Sequence, residues 1–396
     1  MDFELTFEQK SFRESVQTFA QRELAKGALE RAHSSDYPWD VAKRLGELGL
    51  IGITVDEADG GAGGTLMDAV IAIEQIAAAC PRSADVIQSG NFGALRVLAE
   101  FGNEDHKERY LKPLLEGEQL ISVAMTEPDA GSAMTDLTTT ATSDGDGYRI
   151  SGSKVFTTHS GHASVFLVYV RFGPGVDGIG SVLVERDTEG FTLGAPSRFL
   201  SGEDWSPLFF DNAYVPGENV LLGAGGLKKQ LSGFNVERIG NSARSLALGR
   251  FAYQLAREHA LTRHQFGRPL AEFQGLQWRF SDMKIKLDAA QLLLYRAAVN
   301  ADRGLPSPQD TAIAKVMCNR VGFEVANDAL QVLGGMGYSD EMLAEYCLRR
   351  TRGWMIAGGT IEMLLNRIAE SVFDRRFPQR APQPAPQSQP APQGAS

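Results

Sequence analysis

The chain changes its hydrophobic period twice, and this constrains its fold more than any single residue does. Up to about residue 119 apolar side chains recur at helical spacing, as at Phe12, Val16, Phe19 and Leu24 within Thr6–Ala32. Helical runs are also predicted at Asp40–Leu48, Leu66–Ala79, Phe92–Phe101 and Asp105–Leu115, broken by turns such as Asp59-Gly60-Gly61. From about Leu120 to Leu222 the repeat shortens. Tyr148–Gly152, Val165–Val170, Ser181–Val184 and Ser206–Phe210 read as strands between Gly, Asp and Pro clusters, the last leading into an Asp211-Asn212 turn. Helical spacing returns near Leu227, with Phe234–Arg263, Phe273–Asp302 and Gln309–Leu333 as long amphipathic stretches. The order predicts an α+β chain: an N-terminal helical domain (1–119), a central β-sandwich or barrel (120–226) and a C-terminal helical bundle (227–376). Residues 377–396, rich in Pro, Gln and Ala, bury too little apolar surface to order and are expected to form a disordered tail.

Charge and motifs exclude several functions. A net charge of −10 argues against a nucleic-acid surface, which needs clustered Lys and Arg. Cys80, Cys318 and Cys347 lie far apart without paired spacing, which fits a reducing compartment. No signal-like start and no apolar run near the ~20 residues of a bilayer span is present, so a cytoplasmic location without membrane contact is expected. Gly60-Gly61-Ala62-Gly63-Gly64 does not have the GxGxxG spacing of a dinucleotide loop, and a tight helix connection is expected there. His159 and His162 lack the helical spacing of a zinc-protease motif, and no metal is expected. Without a Gly-x-Ser-x-Gly elbow or a Cys beside a His, hydrolase readings fail.

Three further segments carry chemistry. They are Ala124-Met125-Thr126-Glu127-Pro128-Asp129-Ala130-Gly131-Ser132, then Gly152-Ser153-Lys154-Val155-Phe156-Thr157-Thr158, then the C-terminal run from Thr262-Arg263-His264-Gln265-Phe266-Gly267 through Gln331-Val332-Leu333-Gly334-Gly335 to Ala357-Gly358-Gly359-Thr360. In order and placement they resemble the acyl-CoA dehydrogenase family over about Met1 to Arg376. The resemblance implies FAD as cofactor, an acyl-CoA or carrier-bound thioester as substrate, an electron-transfer flavoprotein as acceptor, and a homotetramer built as a dimer of dimers. It places Met125, Thr126, Phe156, Thr158 and Thr360 at the flavin. It assigns Arg263, Gln265, Phe266, Gln331, Gly334 and Gly335 to a cofactor held mainly by a neighbouring subunit, where the planar fork of Arg263 suits a pyrophosphate. Ser132, Asp85, Asn235 and Arg238 are implied at the substrate.

This chain departs from the family at the base. Gly358 stands where most members carry the catalytic glutamate, although its N–H remains able to hold the thioester oxygen. Glu237, immediately before Arg238, occupies the position from which the isovaleryl and long-chain branches supply their base. Ala133 replaces the usual aspartate after Ser132, Phe156 the usual tryptophan, Arg350 an acid, and Glu362 a frequent glutamine. The implied activity is α,β-dehydrogenation, with an enoyl-CoA reductase as the reverse reading. Tyr37-Pro38-Trp39-Asp40 and Arg268–Trp278 resemble the 3-sulfinopropionyl-CoA desulfinase branch, but that enzyme has glutamine at Glu237 and arginine at Asp85. A non-enzymatic flavoprotein of the DNA-alkylation-response type would carry a basic extra domain, which this acidic chain does not show. A carboxylate at Asp85 is costly to bury alone, which predicts a polar or cationic acyl group.

Overall fold

The protein is described from a computed structural model, which covers residues 4–302 and 307–379. Almost all of the expected tail lies outside the described residues.

The first layer comprises α1 (Phe7–Phe19), α2 (Ala28–His33), α3 (Trp39–Glu47), α4 (Leu66–Ala79), α5 (Ser83–Ser89), α6 (Ala94–Phe101), α7 (Glu104–His106) and α8 (Lys112–Leu115). Thr65 and Asp68 cap α4 reciprocally, the hydroxyl accepting from the Asp68 N–H at 3.2 Å and the carboxylate from the Thr65 N–H at 2.9 Å. The helix behind that cap is apolar nearly all round and buried. The glycine cluster before it is the expected connection. Its amides are spent inside the loop, with the N–H groups of Gly61, Gly63 and Gly64 donating to Asp56, Val55 and Ile53 at 3.0, 2.9 and 2.7 Å. None of those three is free for a phosphate. The short α5 was not foreseen, because a seven-residue helix with six residues buried shows no period.

The β layer is one nine-stranded sheet in the order β6-β8-β3-β2-β4-β5-β9, with β1 beside β4 and β7 beside β8. Its strands are β1 (Ile121–Ala124), β2 (Thr140–Asp144), β3 (Gly147–Thr158), β4 (Val165–Arg171), β5 (Ile179–Glu185), β6 (Phe191–Leu193), β7 (Ser197–Arg198), β8 (Asp204–Pro216) and β9 (Val220–Leu222). β2 meets β4 only at Thr140 and Arg171, so the two halves bend there. Their inner faces share one core, in which Ile150, Leu208 and Phe210 meet Phe166, Val168 and Val182. This is the expected sandwich. Asp211-Asn212, however, does not end a strand. β8 runs through it as a bulge, with Asn212 at φ 55° and the register against β3 slipping between Ile150 and Gly152.

The last layer is α9 (Leu227–Thr262), a hairpin of β10 (His264–Gln265) and β11 (Arg268–Pro269), α10 (Gln274–Asp302), α11 (Pro308–Leu333), α12 (Gly335–Tyr338), α13 (Leu343–Trp354) and α14 (Ile361–Val372). Residues 239–249 of α9 are buried without a break, so this helix is the axis of the molecule. α11 touches it where Gly249 faces Gly322, a crossing that a Cβ on either residue would obstruct with contacts of 2.9 and 2.4 Å. Among the described residues no helix is long and apolar enough to cross a membrane.

Candidate active site

Glu237 sits nearly three turns into α9 and is half-buried. Its Oε1 accepts from Gln88 Nε2 of α5 at 2.7 Å. Burial pushes its pKa up to about 7, against the pull of the Gln88 bond, Arg244 and Lys315. The next residue, Arg238, donates from Nε to the Gly358 carbonyl at 3.2 Å and from Nη1 to Asn235 Oδ1 at 2.8 Å. Glu237, Asn235, Arg238 and Gly358 are therefore brought together.

The Ala357–Thr360 loop turns through two left-handed glycines, Gly358 at φ 71° and Gly359 at φ 94°, and Thr360 then caps α14. Lys315 of α11 pins it. This fully buried ammonium donates to the carbonyls of Trp354, Ala357 and Gly359 at 3.1, 2.6 and 3.1 Å, which uses all three protons. Burial and the nearby Arg238 bring its pKa down to about 7, with Glu237 opposing. Among the described residues the Gly358 N–H has no acceptor. Sequence reasoning missed Lys315, although a lone lysine on the apolar Ala312, Ala314, Val316, Cys318 stretch was a usable signal.

Met125, Thr126, Phe156 and Thr158 meet where the end of β1 packs against β3. Val155 donates its N–H to the Thr126 carbonyl at 2.8 Å, and Ser122 Oγ donates to that of Thr158 at 2.9 Å. Glu127 stiffens the loop beneath. Burial opposes its charge, but Lys154 and the hydroxyls and amides of Thr138 and Thr139 hold its pKa down to about 2. Phe156 is not core: it lies at φ 58°, 55% exposed, beside Trp205 with ring centroids 4.7 Å apart. A bulky residue held in left-handed conformation at the surface marks a strained position. Ser132 lies on the exposed loop that follows.

The other assigned residues lie at the far end of α9. Arg263, Gln265, Gln331, Gly334 and Gly335 are exposed, and Phe266 is 94% exposed at φ 51° on the hairpin tip. From Glu237 to Thr262 is 25 residues of one helix, roughly 37 Å at 1.5 Å per residue. The two groups of assigned residues therefore do not form one compact site within this chain.

Asp85 corrects the reading of the acyl group. It is buried, but not alone: Arg82 Nη1 lies 2.5 Å away, Arg350 Nη2 3.5 Å, and Arg244 pairs with its other oxygen. Glu203 shares Arg82 and Arg350. With its charge answered inside the chain, Asp85 asks for no cationic substrate. Arg350 likewise faces this cluster and not a cofactor. Asp85, His159 and Glu203 bring ligand atoms within 4.8 Å of one another, but the three guanidinium groups already supply the positive charge there.

With this geometry in place, comparison with known proteins is informative. Family models for the N-terminal, middle and C-terminal domains of acyl-CoA dehydrogenase match residues 6–118, 122–213 and 224–373. A short-chain-specific acyl-CoA dehydrogenase of Clostridium acetobutylicum is 32% identical, over 94% of this chain and all of the relative. A 3-sulfinopropanoyl-CoA desulfinase of Paraburkholderia xenovorans is also 32% identical, over 94% of this chain and 98% of that protein. The butyryl-CoA dehydrogenase structure of Megasphaera elsdenii superposes with a TM-score of 0.88 at 32% identity, covering 94% of this chain and 100% of that one. Three consecutive domain models in the right order, together with full-length relatives, show that the chain belongs to the acyl-CoA dehydrogenase family of flavoprotein oxidoreductases.

Proposed function

We propose that the chain dehydrogenates an acyl-CoA thioester across its α and β carbons, with Glu237 as the base. The observation that carries this reading is the pairing of a half-buried carboxylate, its pKa raised to about 7, with a loop whose Gly358 N–H has no acceptor among the described residues. A base poised near the working pH combines availability with driving force. A backbone donor at the thioester oxygen would stabilise the enolate charge as the α-proton leaves. Arg238 and Lys315 tie the two together, since they grip the loop on either side of the Gly358 N–H and lie beside Glu237.

Bound FAD would accept the β-hydride and pass electrons to an electron-transfer flavoprotein. Met125, Thr126, Phe156, Thr158 and Thr360 of one subunit would hold its ring, and the exposed, strained Phe156 fits an aromatic surface meant to be covered. Arg263, Gln265, Phe266, Gln331, Gly334 and Gly335 would then serve a neighbour's FAD, a reading that the length of α9 supports. Trp278, Ile285 and Leu292 add an exposed apolar row at seven-residue spacing along α10, suited to helix packing between copies in a homotetramer.

The test is anaerobic mixing of the yellow protein with a panel of acyl-CoAs. Wild type should bleach with at least one, and Glu237→Gln should bind FAD yet stay yellow. Bleaching of Glu237→Gln at nearly the wild-type rate defeats the assignment of the base.

A further inference from the structure

Gln88 is the side chain that touches the candidate base, and nothing in its sequence context marks it. It lies on α5, 3% exposed, with its Nε2 on Glu237 Oε1 at 2.7 Å and its Oε1 accepting from Arg244 Nη1 at 3.0 Å. Those two contacts remove the ambiguity of an amide. A guanidinium only donates, so the oxygen of Gln88 must face Arg244 and its NH2 must face Glu237. Arg244 is itself held from several sides. It is buried, paired with Asp85, and lies over the Trp354 ring at 4.7 Å. The orientation therefore passes from Asp85 and Trp354 through Arg244 to Gln88, and from Gln88 to the carboxylate.

We infer that Gln88, held in one orientation by Arg244, is a positioning residue for Glu237 and leaves Oε2 as the oxygen that takes the proton. This rests on Glu237 being the base. Oε1 is committed to accepting from an amide, so a proton arriving from the substrate α-carbon ends on Oε2 while Oε1 keeps its bond. The backbone keeps the Oε2 side clear. Gly93, at φ 65° before α6, lies so close that a Cβ there would stand 3.2 Å from Oε2. A second effect follows from the same bond. An N–H aimed at a carboxylate favours the ionised form and holds back the rise that burial imposes. The groups acting on Glu237 are Gln88 from α5, Arg244 from its own helix and Lys315 from α11, with uncharged Gly93 on the remaining side.

The experiment compares wild type, Gln88→Met, Glu237→Gln and the double variant as FAD-loaded proteins. Methionine keeps the volume of glutamine and removes the donor. Melting temperatures from pH 5 to 9 should show that Gln88→Met costs more above pH 7, where Glu237 is ionised, than at pH 5. That pH dependence should vanish in the Glu237→Gln background, which also isolates it from the titration of Lys315. With butyryl-CoA as the probe, the acid limb of kcat/KM should move up by about one pH unit or more in Gln88→Met. If Gln88→Met does not accumulate, Arg244→Lys frees the amide to flip and should move the same limb in the same direction. Unchanged limbs and a pH-independent stability cost overturn the inference. If Glu237→Gln stays active while the stability coupling persists, the base assignment fails and the proton role of Oε2 falls with it. If Glu237→Gln is inactive and the coupling is absent, only the positioning role falls.

Discussion

The two ends of α9 are built on opposite plans. At the Glu237 end the charged side chains are answered from within the chain: Gln88, held by Arg244, reaches the base, and Arg238 and Lys315 hold the Gly358 loop. At the Arg263 end the hairpin puts an almost fully exposed phenylalanine into a left-handed conformation beside exposed polar side chains. Burial without a partner is costly, and so is exposure of an aromatic ring in a strained backbone. The first end is furnished to act on its own, whereas the second makes sense when another surface covers it. On the proposed function, one helix would carry parts of two different sites.

The largest effect should come at the furnished end. Glu237→Gln is expected to lower turnover by roughly 10²- to 10⁴-fold with fold and flavin content intact, the usual worth of a positioned general base. A loss below threefold in steady-state kcat would mean that another group takes the proton.

At the open end, Arg263→Ala should weaken FAD binding by about 10- to 100-fold, the worth of a charge-assisted contact to a pyrophosphate. Mixed assemblies of Arg263→Ala and Glu237→Gln subunits should recover turnover, because one site then receives Glu237 from one chain and Arg263 from the other. Failure of hybrids to recover any activity would place Glu237 and Arg263 of the same chain in one site and break the comparison.

Lys315→Met should lower kcat by about tenfold at unchanged flavin content, since a loop released from three hydrogen bonds presents its N–H less accurately. Flavin retention measured alongside kcat separates this from general unfolding.

The last effect is on stability and not on turnover. Glu237 has a folded-state pKa near 7, above its ordinary value of 4.5, so its burial costs nothing below about pH 4.5. The cost grows between pH 4.5 and 7 and is complete above. Glu237→Gln should therefore be more stable than wild type at pH 8, by about 2 kcal/mol, with the gap closing as pH falls. Equal denaturation midpoints for the two proteins at pH 5 and pH 8 would show that the carboxylate is better solvated than its surroundings indicate.

Much of this molecule was legible in its residue pattern. The 14 residues of α4 match the predicted run from Leu66 to Ala79 because a cap at Thr65 and Asp68 bounds an apolar segment. The long bundle helices were legible for the same reason, as periodicity accumulates over many turns. Asp211-Asn212 misled because a bulge and a turn draw on the same residue types. α5 escaped because helices as short as seven residues lack a measurable period when buried on nearly all sides.

The amino-acid order by itself determined the alternation of helix, strand and helix and the family motifs. These are local properties, written in spacing and residue type. Only the tertiary structure decided what those residues meet. It placed Gln88 and Arg244, 156 residues apart, within one hydrogen bond of each other. It gave Asp85 three arginines, and it brought Lys315 under the Gly358 loop. It also set Arg263 most of a helix length from Glu237. Partners of a buried charge are chosen by packing between segments distant in the chain, and no local pattern records that choice.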